Sequence, residues 1–257
     1  MKNQYINQKG FYKTTLVFDE NLFEQLFTEI EFENISKGRL GNQLVKVNDL
    51  GVPIVRTTTK YTIPAHNFSS MHHRIVDCIN ESLDTLPTIN FNNALIEVYD
   101  ERYHKMGYHS DQCLDLAPNS YIGLFSCYEN PNELTKESLR VLQIRDKVSK
   151  EEFEISLTHN SFILFSLETN SKFSHKIITK PLQAKNRWLG ITFRESKTFI
   201  NFKNNVAYFQ NGDLFELAKE NEEREYYKLR GEENRSLDFS YPKINYTLSV
   251  ADMLMPI

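Results

Sequence analysis

Ala94-Leu-Ile-Glu-Val-Tyr99, then Gly107 and the triplet His109-Ser110-Asp111, form the stretch that decides how this chain is read. The first segment is rich in apolar and β-branched residues and predicts a strand, and Gly107 permits a bend before His109. On an extended strand, side chains at i and i+2 leave the same face, so His109 and Asp111 can reach one ion. A third ligand must come from elsewhere. His175 follows the apolar run Ser161-Phe-Ile-Leu-Phe-Ser-Leu167, which reads as a buried strand, and it lies in the next one, Ser174-His-Lys-Ile-Ile178. Among seven histidines an isolated HxD carries little weight, because short motifs match by chance. The distal histidine, with Arg187 and Arg194 beyond it, gives the pair its meaning.

Two histidines and one carboxylate on one face of a metal are the ligand set of non-haem Fe(II) oxygenases, which leave the other positions open. Arginines downstream supply fixed cations for a carboxylate co-substrate. The ordered set therefore predicts an iron- and 2-oxoglutarate-dependent oxygenase using O2, with His109, Asp111 and His175 as catalytic metal ligands.

From about Pro53 to Arg194 the chain resembles the AlkB-like branch of the Fe(II)/2-oxoglutarate dioxygenases. Phe91-Asn-Asn-Ala-Leu-Ile-Glu-Val-Tyr99 looks like the strand before the metal, where that family has an Asn-x-Tyr pair on the co-substrate. Tyr99 matches the tyrosine, and Glu97 stands in the asparagine's place. His109-Ser-Asp111 matches the HxD, Tyr121-Ile-Gly-Leu-Phe-Ser126 resembles the following strand, and His175 matches the distal ligand. Arg187-Trp-Leu-Gly-Ile-Thr-Phe-Arg194 is similar to the closing Arg…Thr-Phe-Arg strand, whose arginines hold the two ends of 2-oxoglutarate. Here the interval is one residue longer than in the family. Within a strand that slip reverses one face unless a bulge restores it, and Gly190 is a candidate bulge. The resemblance leads us to expect Arg187 and Arg194 both in the barrel, with Arg187 the first choice for the clamp. It also implies decarboxylation of 2-oxoglutarate to succinate and CO2, coupled to hydroxylation or oxidative demethylation of a nearby C–H.

At 257 residues, 40% hydrophobic and 25% charged, the chain predicts one domain, 1–257, with a catalytic core of about 53–200 and a C-terminal extension of about 201–257. No run of 18 apolar residues predicts a membrane span, and the polar N-terminus lacks a signal-peptide core. Cys78, Cys113 and Cys127 have no metal-ligand spacing and suit a reducing, cytoplasmic setting. Cys113, two residues past Asp111, reads as a small buried residue near the metal.

Elements run α then β. Asp19 to Ile30 has the spacing of a surface helix with an acidic cap, and Ser69 can cap a second helix through about Leu83, with Met71, Ile75, Val76 and Ile79 inward. Val141-Leu-Gln-Ile144 and Phe153-Glu-Ile-Ser-Leu157 alternate like a hairpin or meander. The fold class is α+β, mainly β: a double-stranded β-helix (jelly-roll) core braced by N-terminal helices. Asp213 to Arg235 is a mixed charge run, read as a solvated helix or as a cap over the barrel mouth. Tyr241-Pro242 predicts extended chain. His66, His72, His73, His104 and His159 read as structural.

Three functions fit. The first is oxygenation of a small molecule or amino acid, which suits a net charge of −4 and a pI of about 6.0. The second is demethylation of alkylated nucleobases, which needs a basic groove; Arg56, Lys60, Arg102 and Lys105 with Tyr61 and Tyr108 are its candidates, and Pro53 to Tyr61 resembles the family's substrate-flanking strand. The third is a catalytically silent jelly-roll interaction module, against which the intact ligand set argues.

Overall fold

The computed structural model describes residues 6–83, 87–103, 106–179 and 185–257; His104 and Lys105 lie outside them. A large sheet contains β1 (Ile6–Gln8), β2 (Phe11–Thr15), β3 (Glu33–Ser36), β4 (Arg39–Val45), β6 (His66–Asn67), β7 (Asn93–Tyr99), β8 (Tyr121–Tyr128), β11 (Ser161–Ser166) and β13 (Trp188–Arg194). Its order is β1-β2-β11-β8-β13-β7-β4-β3, antiparallel along that path, with β6 parallel to β4. A small antiparallel sheet, β10-β9-β12, is made by β9 (Arg140–Asp146), β10 (Glu152–Leu157) and β12 (Phe173–Ile178). The expected hairpin is there, with Phe153 opposite Ile144 and Ile155 opposite Leu142. β5 (Val52–Ile54) pairs with β14 (Thr198–Lys203), which pairs with β15 (Val206–Phe209), and β16 (Glu216–Leu217) pairs with β17 (Tyr246–Thr247).

Alternation along β7 and β13 separates two cores. Ala94, Ile96 and Val98 on β7, and Leu189, Ile191 and Phe193 on β13, bury one face against α1 (Phe23–Thr28) and α2 (Ser70–Ser82), which contribute Phe23, Leu26, Ile75 and Ile79. The valine, leucine, isoleucine and phenylalanine side chains among them each contribute about 1.5–3 kcal/mol on burial. Tyr99 and Trp188 lie in the second core, with Leu142, Ile144, Ile155 and Ile177 of the small sheet. This second face is the interior of the jelly roll.

Sequence and structure agree on α2. The Ser69 hydroxyl accepts the Met71 N–H at 3.3 Å, and His72 Nδ1 accepts the Ser69 N–H at 2.9 Å. α1 is shorter than expected: it begins at Phe23, whose N–H is accepted by Asn21 Oδ1 at 3.1 Å, and Asp19 lies outside it. In the C-terminal stretch the helix α4 runs from Glu220 to Arg235, because β16 occupies part of the charge run before it.

Arg56 is no surface cation. It is buried, bonds both Asp115 oxygens (Nε–Oδ2 3.0 Å, Nη2–Oδ1 2.7 Å), and gives Nη1 to the carbonyls of Ile244 and Tyr246. Through Arg56 the segment after β5 is tied both to Asp115 and to the C-terminal stretch. Removing one partner of a buried pair strands the other charge at about 3–5 kcal/mol. Asp115→Ala is expected to destabilise the protein by that amount in urea unfolding, and a change below about 1 kcal/mol would show the pair to be dispensable.

Candidate active site

The two histidines meet through their backbones. His109 donates its N–H to the His175 carbonyl at 3.0 Å and accepts the His175 N–H at 2.7 Å, an isolated antiparallel bridge. Directly opposed residues in such a pair send their side chains to the same face. The rings accordingly lie side by side, 4.8 Å between centroids. His175 is anchored in β12 opposite Ile144 of β9. His109 is not on a continuous strand, as the sequence suggested, since residues 106–113 form an extended connection with that single bridge.

Asp111 follows two residues later and points the same way. Its backbone is held reciprocally by buried Asn170 of α3 (Leu167–Lys172): the Asp111 N–H donates to Asn170 Oδ1 at 2.8 Å, and Asn170 Nδ2 donates to the Asp111 carbonyl at 2.9 Å. Asp111 Oδ2 stands 3.7 Å from His175 Nε2, and Oδ1 accepts Arg194 Nη2. Burial pushes the carboxyl up, but Arg194 and the two histidines outweigh it and hold Asp111 well below the usual carboxylate range. Burial drives His175 down to about 3 and lowers His109 as well. The set is therefore one carboxylate and two neutral imidazoles. His109 Nδ1, 3.0 Å from the Gly107 carbonyl, fits as the donor there, which leaves Nε2 as the lone-pair nitrogen.

Iron fits the chemistry of these donors, since a metal needs deprotonated ligands: both imidazoles are neutral, and His175 turns Nε2 toward the ionised Asp111. The three are not drawn into a finished coordination shell. Among the described residues no group of three or more His, Cys, Asp or Glu stands in metal-holding geometry. In the metal-free protein Cys113 is a protonated thiol: burial pushes it up to about 12, and Asn170 Nδ2 donates to its sulfur at 3.2 Å.

These groups line a cavity of about 570 Å³. Leu95, Glu97 and Tyr99 of β7, Thr192 and Arg194 of β13 and Leu124 of β8 form one side, Leu142 and Ile177 of the small sheet another. Thr57, Thr58 and Thr59 and one face of α4 border it. Arg194 is buried, and its Nη1 has no partner. Arg187 is not in the cavity. β13 pairs with β7 and β8 in unbroken register, so no bulge restores its face; Trp188 takes the inward place and Arg187 points to the helix side. There it makes a bidentate pair with Glu129 (2.9 and 2.6 Å) beside the rings of Phe23 and Phe27. Gly190 is instead the residue over which the Trp188 ring lies, a Cβ there falling 2.1 Å from the ring.

Two cavity cations escaped the sequence reading. Arg39 of β4 is in register with Tyr99; its Nε donates to Glu97 Oε1 at 2.8 Å, and the Tyr99 hydroxyl donates to Glu97 Oε2 at 2.7 Å. Arg230 of α4 donates to the Ser110 carbonyl. The supposed basic groove is thin: Lys60 pairs with Glu223, Arg102 with Asp100, and Tyr61 is buried. His66 Nε2 and His159 Nδ1 accept the backbone N–H groups of Glu31 and Tyr128, as structural histidines do.

The family description "2OG-Fe(II) oxygenase superfamily" matches residues 20–194. The chain belongs to this superfamily. It is an Fe(II)- and 2-oxoglutarate-dependent dioxygenase, with O2 as the oxidant. Among solved structures, that of OsALKBH1 is similar at a TM-score of 0.51 and 14% identity, covering 75% of this chain and 99% of that one. The crystal structure of a Pseudomonas putida prolyl-4-hydroxylase matches at a TM-score of 0.42 and 11% identity, over 72% of this chain and 92% of that one. A search of curated proteins finds no match. The OsALKBH1 likeness concerns the fold, and no helix among the described residues is long and apolar enough to cross a membrane.

The burial of the imidazoles has a pH consequence. A histidine whose folded pKa lies near 3 binds fewer protons than the unfolded chain between about pH 6.5 and 3, so stability falls as pH falls through that window. Asp111, lowered too, acts in the same direction below its ordinary value. The metal-free protein is expected to lose melting temperature steadily below pH 6.5, and His175→Leu to flatten that slope; an unchanged slope would mean that His175 is not buried neutral.

Proposed function

We propose that this oxygenase acts on a compact substrate, with His109, Asp111 and His175 holding the iron and Arg194 gripping a carboxylate of 2-oxoglutarate. The observation that carries the reading is the mutual backbone bridge of His109 and His175, which sets two neutral imidazoles beside the ionised Asp111 in the cavity wall. Iron, when bound, supplies activation of O2 coupled to the conversion of 2-oxoglutarate into succinate and CO2. The chain's own part is orientation and exclusion of water. Asp111 stays ionised beside Arg194, and the free Nη1 of Arg194 is the donor left for a carboxylate. Leu124, Leu142, Phe165 and Ile177 give the cavity an apolar wall, where a C–H bond can be held close. Tyr99, Glu97 and Arg39 form a mutually bonded polar group at another part of that wall. We place the stretch after Arg194 in the same catalytic unit, and the three unpaired cysteines suit the reducing, cytoplasmic setting a ferrous enzyme needs.

Charge supports the choice of substrate. The charged residues that line the cavity are compensated in pairs: Arg39 with Glu97, Arg194 with Asp111, and Arg230 with Glu233. A ferrous dication and a 2-oxoglutarate dianion cancel in turn, so the next ligand meets a nearly neutral mouth. A neutral or zwitterionic small molecule, such as an amino acid, suits this better than a polyphosphate chain. One observation favours the nucleobase reading: Tyr108, on the cavity wall, has Arg145 at 3.8 Å and Lys176 at 4.3 Å from its ring centre, a cationic stacking surface. The test is a succinate-release screen of metabolites against methylated oligonucleotides, with oligonucleotide titrations at two salt concentrations. Weak, non-specific oligonucleotide binding and turnover of a metabolite are expected. Tight, salt-sensitive binding with repair of a methylated base would reverse the choice.

A further inference from the structure

The connection that carries Asp111 has an unusual support. Residues 110–113 lie outside any strand, so their backbone groups have no ladder partners and must be satisfied otherwise. Besides Asn170, and the Leu116 N–H that donates to the Cys113 carbonyl at 3.3 Å, one further element supplies partners here, and it lies beyond the residues that match the superfamily. Arg230 of α4 donates Nη2 to the Ser110 carbonyl, and Asn234 Oδ1 accepts the Ser110 N–H at 3.0 Å. Glu233 Oε1 accepts the Cys113 N–H at 2.8 Å, and Gln112 Nε2 donates to the Tyr226 hydroxyl at 3.1 Å. Glu233 Oε2 binds Arg230 Nη1 at 2.7 Å and the Tyr241 hydroxyl at 2.6 Å.

Arg230 and Glu233 are both buried. A buried ion pair is poor evidence of stabilisation, because apolar residues of similar size often serve stability as well or better. Here the polar atoms of the helix are spent on Ser110, Gln112 and Cys113, the residues on either side of one carboxylate. The same helix turns Tyr227, Arg230, Gly231 and Asn234, spaced i, i+3, i+4 and i+7, toward the cavity. An ordinary solvated helix would have no reason to place its charges this way.

We propose that α4 is part of the active site, with Arg230 and Asn234 as positioning residues that clamp the Ser110 peptide and thereby aim Asp111 at the iron. The inference rests on the triad assigned above. It says that the metal affinity and geometry of this enzyme depend on residues after Arg194, which the superfamily match does not reach.

The test uses the full chain without oxygen, with Co(II) as the probe, read by titration and by its visible absorption bands, with and without 2-oxoglutarate. Arg230→Met and Asn234→Ala are expected to weaken Co(II) binding about 10- to 100-fold, the range for groups that orient metal ligands, and to change the bands. Arg230→Lys, which keeps a donor, should recover part of the loss. Leu229→Ala opens a cavity in the same helix, toward Ile244 and Tyr246, and serves as the matched destabilised protein. It should lower the melting temperature yet bind Co(II) with wild-type affinity and bands. Wild-type affinity and bands in both Arg230→Met and Asn234→Ala would overturn the proposal, as would an equal weakening in Leu229→Ala. If Arg230→Met does not fold, Asn234→Ala and Arg230→Lys decide it. Failure of the triad itself looks different: His175→Ala would then bind Co(II) as well as the wild type, and the proposal would fall with the triad.

Discussion

Asp111→Ala is expected to reduce turnover to background and to lose tight metal binding, while also destabilising the fold. The two effects have separate causes. Turnover fails because two neutral imidazoles, without their carboxylate, neither match the iron's charge nor complete the facial set. Stability falls because Arg194, buried and bonded to Asp111, is left as a stranded charge, a loss of about 3–5 kcal/mol for a broken buried pair. The double variant Asp111→Ala/Arg194→Leu removes that charge and should regain most of the stability in denaturant unfolding, still with no succinate released. Turnover that returned in the double variant would show that Asp111 serves the fold alone. His109→Ala and His175→Ala should match the loss of turnover without the large loss of stability, since no buried charge is stranded in either.

What could be read from the chain follows from how far apart the interacting residues are. HxD spacing, the strand pattern of Ala94 to Tyr99 and the cap at Ser69 are local; the structure keeps the last two, and holds the HxD in a connection with a single bridge in place of a strand. The backbone bridge between His109 and His175 spans 66 residues of chain, and no local pattern encodes it. The partnerships of Arg39 with Glu97 and of Arg230 with Ser110, separated by 58 and 120 residues, depend on sheet register and on where α4 docks. Arg230 was hidden further by its setting, because a charge run reads as a solvated face whether or not one of its residues turns inward. A partial signal existed for Arg39: a lone arginine opens the otherwise uncharged strand Arg39-Leu-Gly-Asn-Gln-Leu-Val45, where a solvated end or a buried partner are both possible. The α1 boundary slipped because Asp19 has the right chemistry for a cap but lies too far ahead of the packed residues Phe23 and Leu26.

Arg187, just before β13, and Arg194, at its end, give the second large effect, and it reverses the ranking suggested by sequence. Arg194→Lys is expected to raise the 2-oxoglutarate concentration needed for half-maximal turnover about 10- to 100-fold, with little effect from Arg187→Lys. Lysine keeps the charge but cannot bond Asp111 through one nitrogen while presenting a second, coplanar nitrogen to a carboxylate. The lost charge-assisted hydrogen bond is worth about 1.5–3 kcal/mol, which sets the size of the change. Arg187 lies outside the cavity, so its replacement should touch only the Glu129 pair and the packing over Phe27. That pair is about one-third exposed and contributes at most about 1 kcal/mol. The parity of the strand makes the contrast sharp. Residues 188, 190, 192 and 194 share the cavity face in an unslipped register, and residue 187 cannot join them without a bulge that β13 does not contain. Titration of 2-oxoglutarate against both variants, by succinate release and by binding to the Co(II) protein, decides between them. A requirement raised by Arg187→Lys and untouched by Arg194→Lys would mean that β13 presents its other face to the co-substrate.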